Sequence, residues 1–274
     1  MDTTIFQEKQ AFPLLALDHR TSLKETLYPD NPDQASVSEL QQVKSDILHA
    51  LAGTYNGILL DSEYGLPVYD TDIAPYLLRI GTTEYSTTEE GEEQRTTVQK
   101  MPVADLRQRG AQGVKLLMYF NPYGSNTTTE LETAKSILEE SHQENLPFFL
   151  EIITYGAKNP LSEQILDALD LFDEYGITPD VWKLEYPGDA LSCQLITNRV
   201  QPTPWILLTH GMSYPTFQEN LRTAMEEGCR GFLAGRSIWQ EIGNKSGEER
   251  EQFLHTTARE RFEDIRHIAL ENIV

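Results

Sequence analysis

The chain has 274 residues, 39% of them hydrophobic, which is enough for a full core and typical of one α/β barrel. Lys and Arg total 22 against 43 Asp and Glu, a formal net charge of -21, and that balance argues against nucleic acid or an anionic membrane as a partner. The opening M-D-T-T-I-F-Q-E-K-Q lacks a basic region followed by an apolar run, and no stretch is long and apolar enough to span a bilayer, so a cytoplasmic protein is expected. Short apolar runs then alternate with longer stretches of helical period, the pattern of a parallel sheet built from βα units. The predicted strands are L-L-A-L-D from Leu14, G-I-L-L-D from Gly57, Y-L-L-R-I from Tyr76 and V-K-L-L-M-Y from Val114. They continue with F-F-L-E-I-I from Phe148, V-W-K-L-E-Y from Val181, W-I-L-L-T from Trp205 and G-F-L-A-G from Gly231. Eight strands predict a (β/α)8 barrel forming one domain over residues 1–274.

Helices are expected over 38–51, 129–145, 162–175, 214–227 and from 248 to about 271, with Gly176 and Gly228 where helices commonly stop. Residues 85–97, carrying T-T-E-E-G-E-E, read as an acidic surface loop too polar to pack. Cys193 and Cys229 offer neither metal-ligand nor disulfide spacing and read as small buried residues.

The run D-V-W-K-L-E-Y-P places a lysine in the middle of a strand. In a barrel one face of each strand meets the helices and must be apolar, so Trp182 and Leu184 point outward while Lys183 and Glu185 point inward. The same parity puts Lys115, Leu117 and Tyr119 inward from one strand, and Phe149, Glu151 and Ile153 inward from the next. Strands about 4.8 Å apart place Lys115 and Lys183 roughly 10 Å from one another, close enough for long side chains to converge. A single internal Lys–Glu pair reads as filler for the barrel mouth, but two lysines and a glutamate on successive strands point to chemistry. A lysine beside a second cation and away from bulk water loses proton affinity and can attack a ketone, while a carboxylate moves the protons.

Asp18 shares inward parity with Leu14 and Ala16 and is followed by His19 and Arg20. Asp61 shares it with Leu59, although an aspartate there also suits a turn. T-H-G-M-S and A-G-R-S follow the seventh and eighth strands, where barrels often bind phosphate. Gly211 and Gly235 allow close backbone approach, Ser213 adds a hydroxyl and Arg236 a forked cation.

Taken together, L-A-L-D-H-R-T-S-L-K, I-L-L-D-S-E-Y-G-L-P, V-K-L-L-M-Y-F, L-P-F-F-L-E-I-I-T-Y, D-V-W-K-L-E-Y-P and G-F-L-A-G-R-S-I-W resemble the tagatose 1,6-bisphosphate aldolase family. The related sulfofructosephosphate aldolases share several of these motifs. The resemblance runs from Leu15 to about Trp239. It implies a (β/α)8 barrel performing class I aldol cleavage of a ketose phosphate with no cofactor and no metal, as a dimer or tetramer. It further implies Lys183 as the Schiff-base lysine, Glu151 as the proton-transfer residue, and Lys115 and Asp18 as groups that polarise the site. The loops around Ser213 and Arg236 would hold phosphate. Where His19, Thr209 and His210 stand, the family usually has glutamine, serine and a small residue, and the segment between Glu151 and Lys183 is shorter than usual. These departures leave the reaction type intact and the sugar open between a ketose bisphosphate, a sulfosugar phosphate and an inositol-derived keto acid phosphate. A sugar-phosphate sensor without catalysis is the reading from another class.

Overall fold

A computed structural model of the protein describes residues 1–89, 91–156 and 159–272. Its strands are β1 (Phe12–Leu17), β2 (Gly57–Leu60), β3 (Tyr76–Arg79), β4 (Gly81–Thr87), β5 (Glu93–Gln99), β6 (Gly113–Phe120), β7 (Phe148–Thr154), β8 (Val181–Leu184), β9 (Trp205–Leu208) and β10 (Gly231–Ala234). All but β4 and β5 close into one barrel in the order β1-β2-β3-β6-β7-β8-β9-β10, with β10 pairing back onto β1 and each pair parallel. Runs such as G-I-L-L and W-I-L-L contain no polar residue because both faces of such a strand are covered.

The outer faces pack under helices α1 (Thr21–Leu27), α2 (Val37–Ala50), α3 (Val103–Gln108), α4 (Thr127–Gln143), α5 (Leu161–Glu174), α6 (Ala190–Val200), α7 (Tyr214–Glu226), α8 (Arg236–Trp239), α9 (Gly247–Phe253) and α10 (Arg259–Glu271). Side-chain caps start three of them: Ser36 accepts from Glu39 N, Asp189 from Ser192 N and Ser213 from Thr216 N. The last expected helix is interrupted by a π turn over Leu254–Ala258, where the Thr256 hydroxyl bonds back to the carbonyl of Gln252. Helix α10 seals the outside of the barrel near β1 and β10, with Phe262 edge-on to Phe232 at 5.4 Å. Among the described residues no helix is long and apolar enough to cross a membrane.

Residues 85–97 are not the loop that their charge suggested. Strands β4 and β5 form an antiparallel hairpin between β3 and α3; residue 90, near its turn, lies outside the described residues. Backbone ladder bonds form whatever the polarity of the side chains, and the Thr and Tyr content favours extended chain. The hairpin is also tied down. Thr97 N donates to Glu130 Oε1 of α4 at 2.9 Å, Arg95 N bonds the Tyr155 hydroxyl at 3.0 Å, and the Arg95 guanidinium stacks over Tyr119 at 4.3 Å.

Inside the barrel, Phe12, Leu14, Leu59, Leu77, Phe149, Val181, Ile206 and Leu233 form an apolar cluster separate from the larger shell outside the strands. Phe6, from a short 3-10 turn at Thr4–Phe6, joins it from below and meets Phe149 edge-on at 5.5 Å. A buried Phe of this kind contributes about 1.5–3 kcal/mol. The base of the barrel is therefore solid, and polar side chains occupy only the end where the strands finish.

Candidate active site

Strand register decides who meets whom at that end. Glu151 on β7 is directly opposite Lys183 on β8, while Lys115 on β6 lies opposite Phe149 on one side and Arg79 on the other. Lys115 thus starts one layer lower and reaches up to its neighbours. Lys183 Nζ lies 2.9 Å from Glu151 Oε2, and Lys115 Nζ contacts that same oxygen. Lys115 Nζ and Arg79 Nη1 each lie 3.4 Å from Asp18 Oδ2. Three cations therefore share two carboxylates. Lys115 is 1% exposed, Lys183 5%, and Asp18 and Glu151 6% each, so solvent screens little of this excess positive charge. Both contacts to Glu151 Oε2 are out of line for hydrogen bonding, which leaves that buried oxygen without a directed donor.

Burial pushes the proton affinity of Lys183 down; Glu151 pulls it up, Lys115 pushes it down again, and the net effect is a lowered pKa. Burial alone would raise Glu151, but the Lys115 and Lys183 ammonium groups outweigh it and hold the carboxyl at about 2. Asp18 is likewise held well below the carboxylate range by Lys115 and Arg79 in spite of its burial. At neutral pH the cluster is two fixed anions beside an amine that loses its proton readily.

A cavity of about 430 Å³ opens above these groups, and Asp18, His19, Arg20, Lys115, Glu151, Lys183 and Arg236 line it. Those seven of the expected site residues come together. Asp61, Gly211, Ser213 and Gly235 do not line it. Asp61 has the inward parity expected of it, but its oxygens accept from the backbone N–H groups of Glu63, Tyr64 and Gly65 and pair with buried Lys44 of α2. It forms the turn after β2 and has no free oxygen for a substrate. Ser213 is occupied with capping α7. Gly211, at φ +71°, and Gly235 act by being small. A Cβ at Gly211 would stand 3.1 Å from the Arg236 guanidinium carbon, and one at Gly235 would stand 2.6 Å from His19 Cε1. His19 is edge-on to Trp239 at 5.1 Å, and burial drives its pKa down to about 3, so it serves as a neutral imidazole.

Several pocket residues escaped the sequence reading. Arg79, which lines the pocket, shares the parity of inward Leu77, the same signal that marks Lys115. Thr82, Thr83 and Tyr85 reach the pocket from the hairpin that was read as a loop. His210, which the sequence marked only as a departure from the family pattern, also lines it, with Nδ1 at 3.0 Å from Glu185 Oε1. Among the described residues no group of three His, Cys, Asp or Glu side chains is placed to hold a metal ion.

A buried, deprotonatable amine at the closing end of a (β/α)8 barrel, flanked by carboxylates and cations, has the makings of a centre for carbonyl chemistry on lysine. Residues 12–241 match the family model described as DeoC/LacD family aldolase, and the chain belongs to that family. The tagatose 1,6-diphosphate aldolase of Staphylococcus aureus (strain MW2) is 28% identical over 295 residues, covering 93% of this chain and 89% of that protein. The fructose-bisphosphate aldolase of Slackia heliotrinireducens DSM 20476 superposes with a TM-score of 0.71 at 17% identity, over 98% of this chain and 87% of that one. An archaeal fructose-1,6-bisphosphate aldolase, solved with its catalytic Lys covalently bound to a carbinolamine intermediate, gives a TM-score of 0.67 at 20% identity, over 94% and 96%. At these identities the two structures speak for the fold.

Proposed function

We propose that the protein is a class I aldolase of the cytoplasm that cleaves a ketose 1,6-bisphosphate, such as tagatose 1,6-bisphosphate, to dihydroxyacetone phosphate and glyceraldehyde 3-phosphate. The Staphylococcus relative supports the substrate, and the archaeal neighbour with its lysine-bound carbinolamine supports the covalent route. The observation that carries the reading is the contact of Lys115 and Lys183 with a single buried Glu151 oxygen. That arrangement lowers the cost of a neutral Lys183 and keeps an ionised carboxylate within reach of the nitrogen.

Neutral Lys183 attacks the C2 carbonyl and one proton passes from the nitrogen by way of Glu151 to the C2 oxygen, giving a carbinolamine; a second proton, drawn from solvent through the same carboxylate, lets that oxygen leave as water and gives the iminium. The C4 hydroxyl proton is taken by Glu151 or a group near Asp18 as the C3–C4 bond breaks. Its electron pair flows into the iminium to form an enamine, and the aldehyde leaves. Protonation at C3 and hydrolysis then release the ketone phosphate and restore Lys183. The iminium is the electron sink, so the route asks nothing further of the protein than placement and proton transfer. Arg236, whose Nε is buried without a partner, is a ready donor for phosphate.

Borohydride reduction in the presence of dihydroxyacetone phosphate tests this reading. Peptide mass mapping is expected to find a three-carbon adduct on Lys183, and an adduct on another lysine, or none, overturns the assignment. Comparing kcat/KM for ketose bisphosphates, sulfosugar phosphates and keto acid phosphates on the same enzyme fixes the sugar.

A further inference from the structure

One side chain of the pocket wall has no part in those steps. His210 follows β9 at a φ of +46°, a left-handed conformation that is costly for a residue with a Cβ and tends to persist only where the surroundings hold it. Its holder is Glu185. That carboxylate is buried, and while Oε1 meets His210 Nδ1 at 3.0 Å, Oε2 accepts from Thr154 N at 2.9 Å and from the Thr154 hydroxyl at 3.2 Å. Glu185 is thereby fixed between the ends of β7 and β8. With Nδ1 engaged, Nε2 is the free nitrogen of a ring that lines the pocket.

Beside it lies an unsatisfied cation. Gly211 packs on the guanidinium of Arg236, and the Ser237 hydroxyl donates to the carbonyl of Met212 at 2.6 Å, so the turns after β9 and β10 are joined. Arg236 Nε is buried and has no partner. Both side chains line the same cavity. An orphaned guanidinium donor and an imidazole backed by a carboxylate, held by joined turns, form a corner that lacks only an anion.

We infer that His210, backed by Glu185 and acting beside Arg236, is a proton-dependent donor to the phosphate group of the substrate. The inference deepens the aldolase reading and rests on it for the identity of the anion as a sugar phosphate. The charged groups facing His210 are Glu185, Arg236 and Glu151. The close contact with Glu185 raises its pKa, burial works the other way, the attraction of the Glu185 charge adds to the rise and Arg236 subtracts, with a net increase. The second imidazole of the pocket behaves oppositely, since burial drives His19 to about 3. Of the two, His210 is the one whose surroundings favour the protonated ring.

Calorimetric binding of inorganic phosphate to the whole protein, from pH 6 to pH 9 at low salt, tests the assignment. His210→Asn suits the purpose because asparagine tolerates the left-handed backbone. It is expected to weaken phosphate binding about tenfold at pH 6, with the difference shrinking as pH rises and the wild-type ring gives up its proton. Phosphate's own ionisation is common to both proteins and cancels in the ratio. Glu185→Gln keeps a side-chain oxygen for Thr154 and removes the countercharge, so the fall in affinity should move to lower pH. Equal phosphate affinity in wild type and His210→Asn at every pH overturns the inference. Borohydride labelling on the same samples separates the two ideas. Labelling retained with no His210 effect sinks this inference alone, whereas no labelling with the pH-dependent effect intact sinks the lysine chemistry and leaves the anion donor standing.

Discussion

Two buried lysine–carboxylate contacts in this molecule differ in what they leave over. Lys44 of α2 pairs with Asp61, and its nitrogen also donates to the carbonyl of Leu17 at 2.6 Å. Asp61 spends its oxygens on three backbone N–H groups as well. One cation meets one anion, each has neutral partners, and neither side chain lines the pocket of the barrel mouth. In the barrel mouth Lys115 and Lys183 compete for one oxygen of Glu151 beneath open space. Burial lowers the pKa of Lys44 and of Lys183 alike. A depressed lysine pKa therefore does not mark a reactive centre; the distinguishing features are a second cation, an incompletely satisfied carboxylate and room for a ligand.

Substitutions sharpen the contrast. The largest loss is expected for Lys183→Met, which removes the proposed nucleophile: turnover should fall by at least about 10⁴-fold in a steady-state cleavage assay, with the fold kept. Glu151→Gln removes the proposed proton carrier but leaves a polar group in place, and about 10²- to 10⁴-fold is expected. Lys115→Met takes away the cation that helps keep Lys183 neutral. The Lys183 pKa then rises, so the limb of the pH profile along which rate increases with pH should move to higher pH, with a loss of turnover at pH 7. An unmoved profile would remove Lys115 from that role. Lys44→Met should have the smallest effect on turnover per folded molecule, while stranding the Asp61 charge costs about 3–5 kcal/mol in a denaturant titration. A large kinetic effect at Lys44 with normal stability would erase the distinction between the two contacts.

The elements that alternation can see were legible in the sequence. Each of the eight barrel strands has a period-two pattern or a short apolar run, and parity alone placed Lys115, Glu151 and Lys183 on the inner face. Parity says which way a side chain points but not what it meets. Asp61 obeyed the rule and was still claimed by Lys44, a residue seventeen positions away on a helix whose packing the local pattern does not encode. The hairpin failed for another reason. Its strands are held by ladder bonds and by tyrosines from β6 and the segment after β7, so polarity misled where pairing decided. Short helices such as α1 and α3 offer too few turns for a period to emerge. Phe6 lay in a polar opening segment and gave no sign that it would fill the barrel from beneath.

That filling restricts traffic. Phe6 and Phe149 meet edge-on and fill the floor, so the described pocket lies above them, with Thr82, Thr83 and Tyr85 of the hairpin on its wall. On the proposed chemistry the three-carbon fragment would stay bonded to Lys183 while the aldehyde departs. Cleavage should accordingly release its products in a fixed sequence, aldehyde before ketone, and product-inhibition patterns that are competitive for the ketone phosphate and noncompetitive for the aldehyde would register that order.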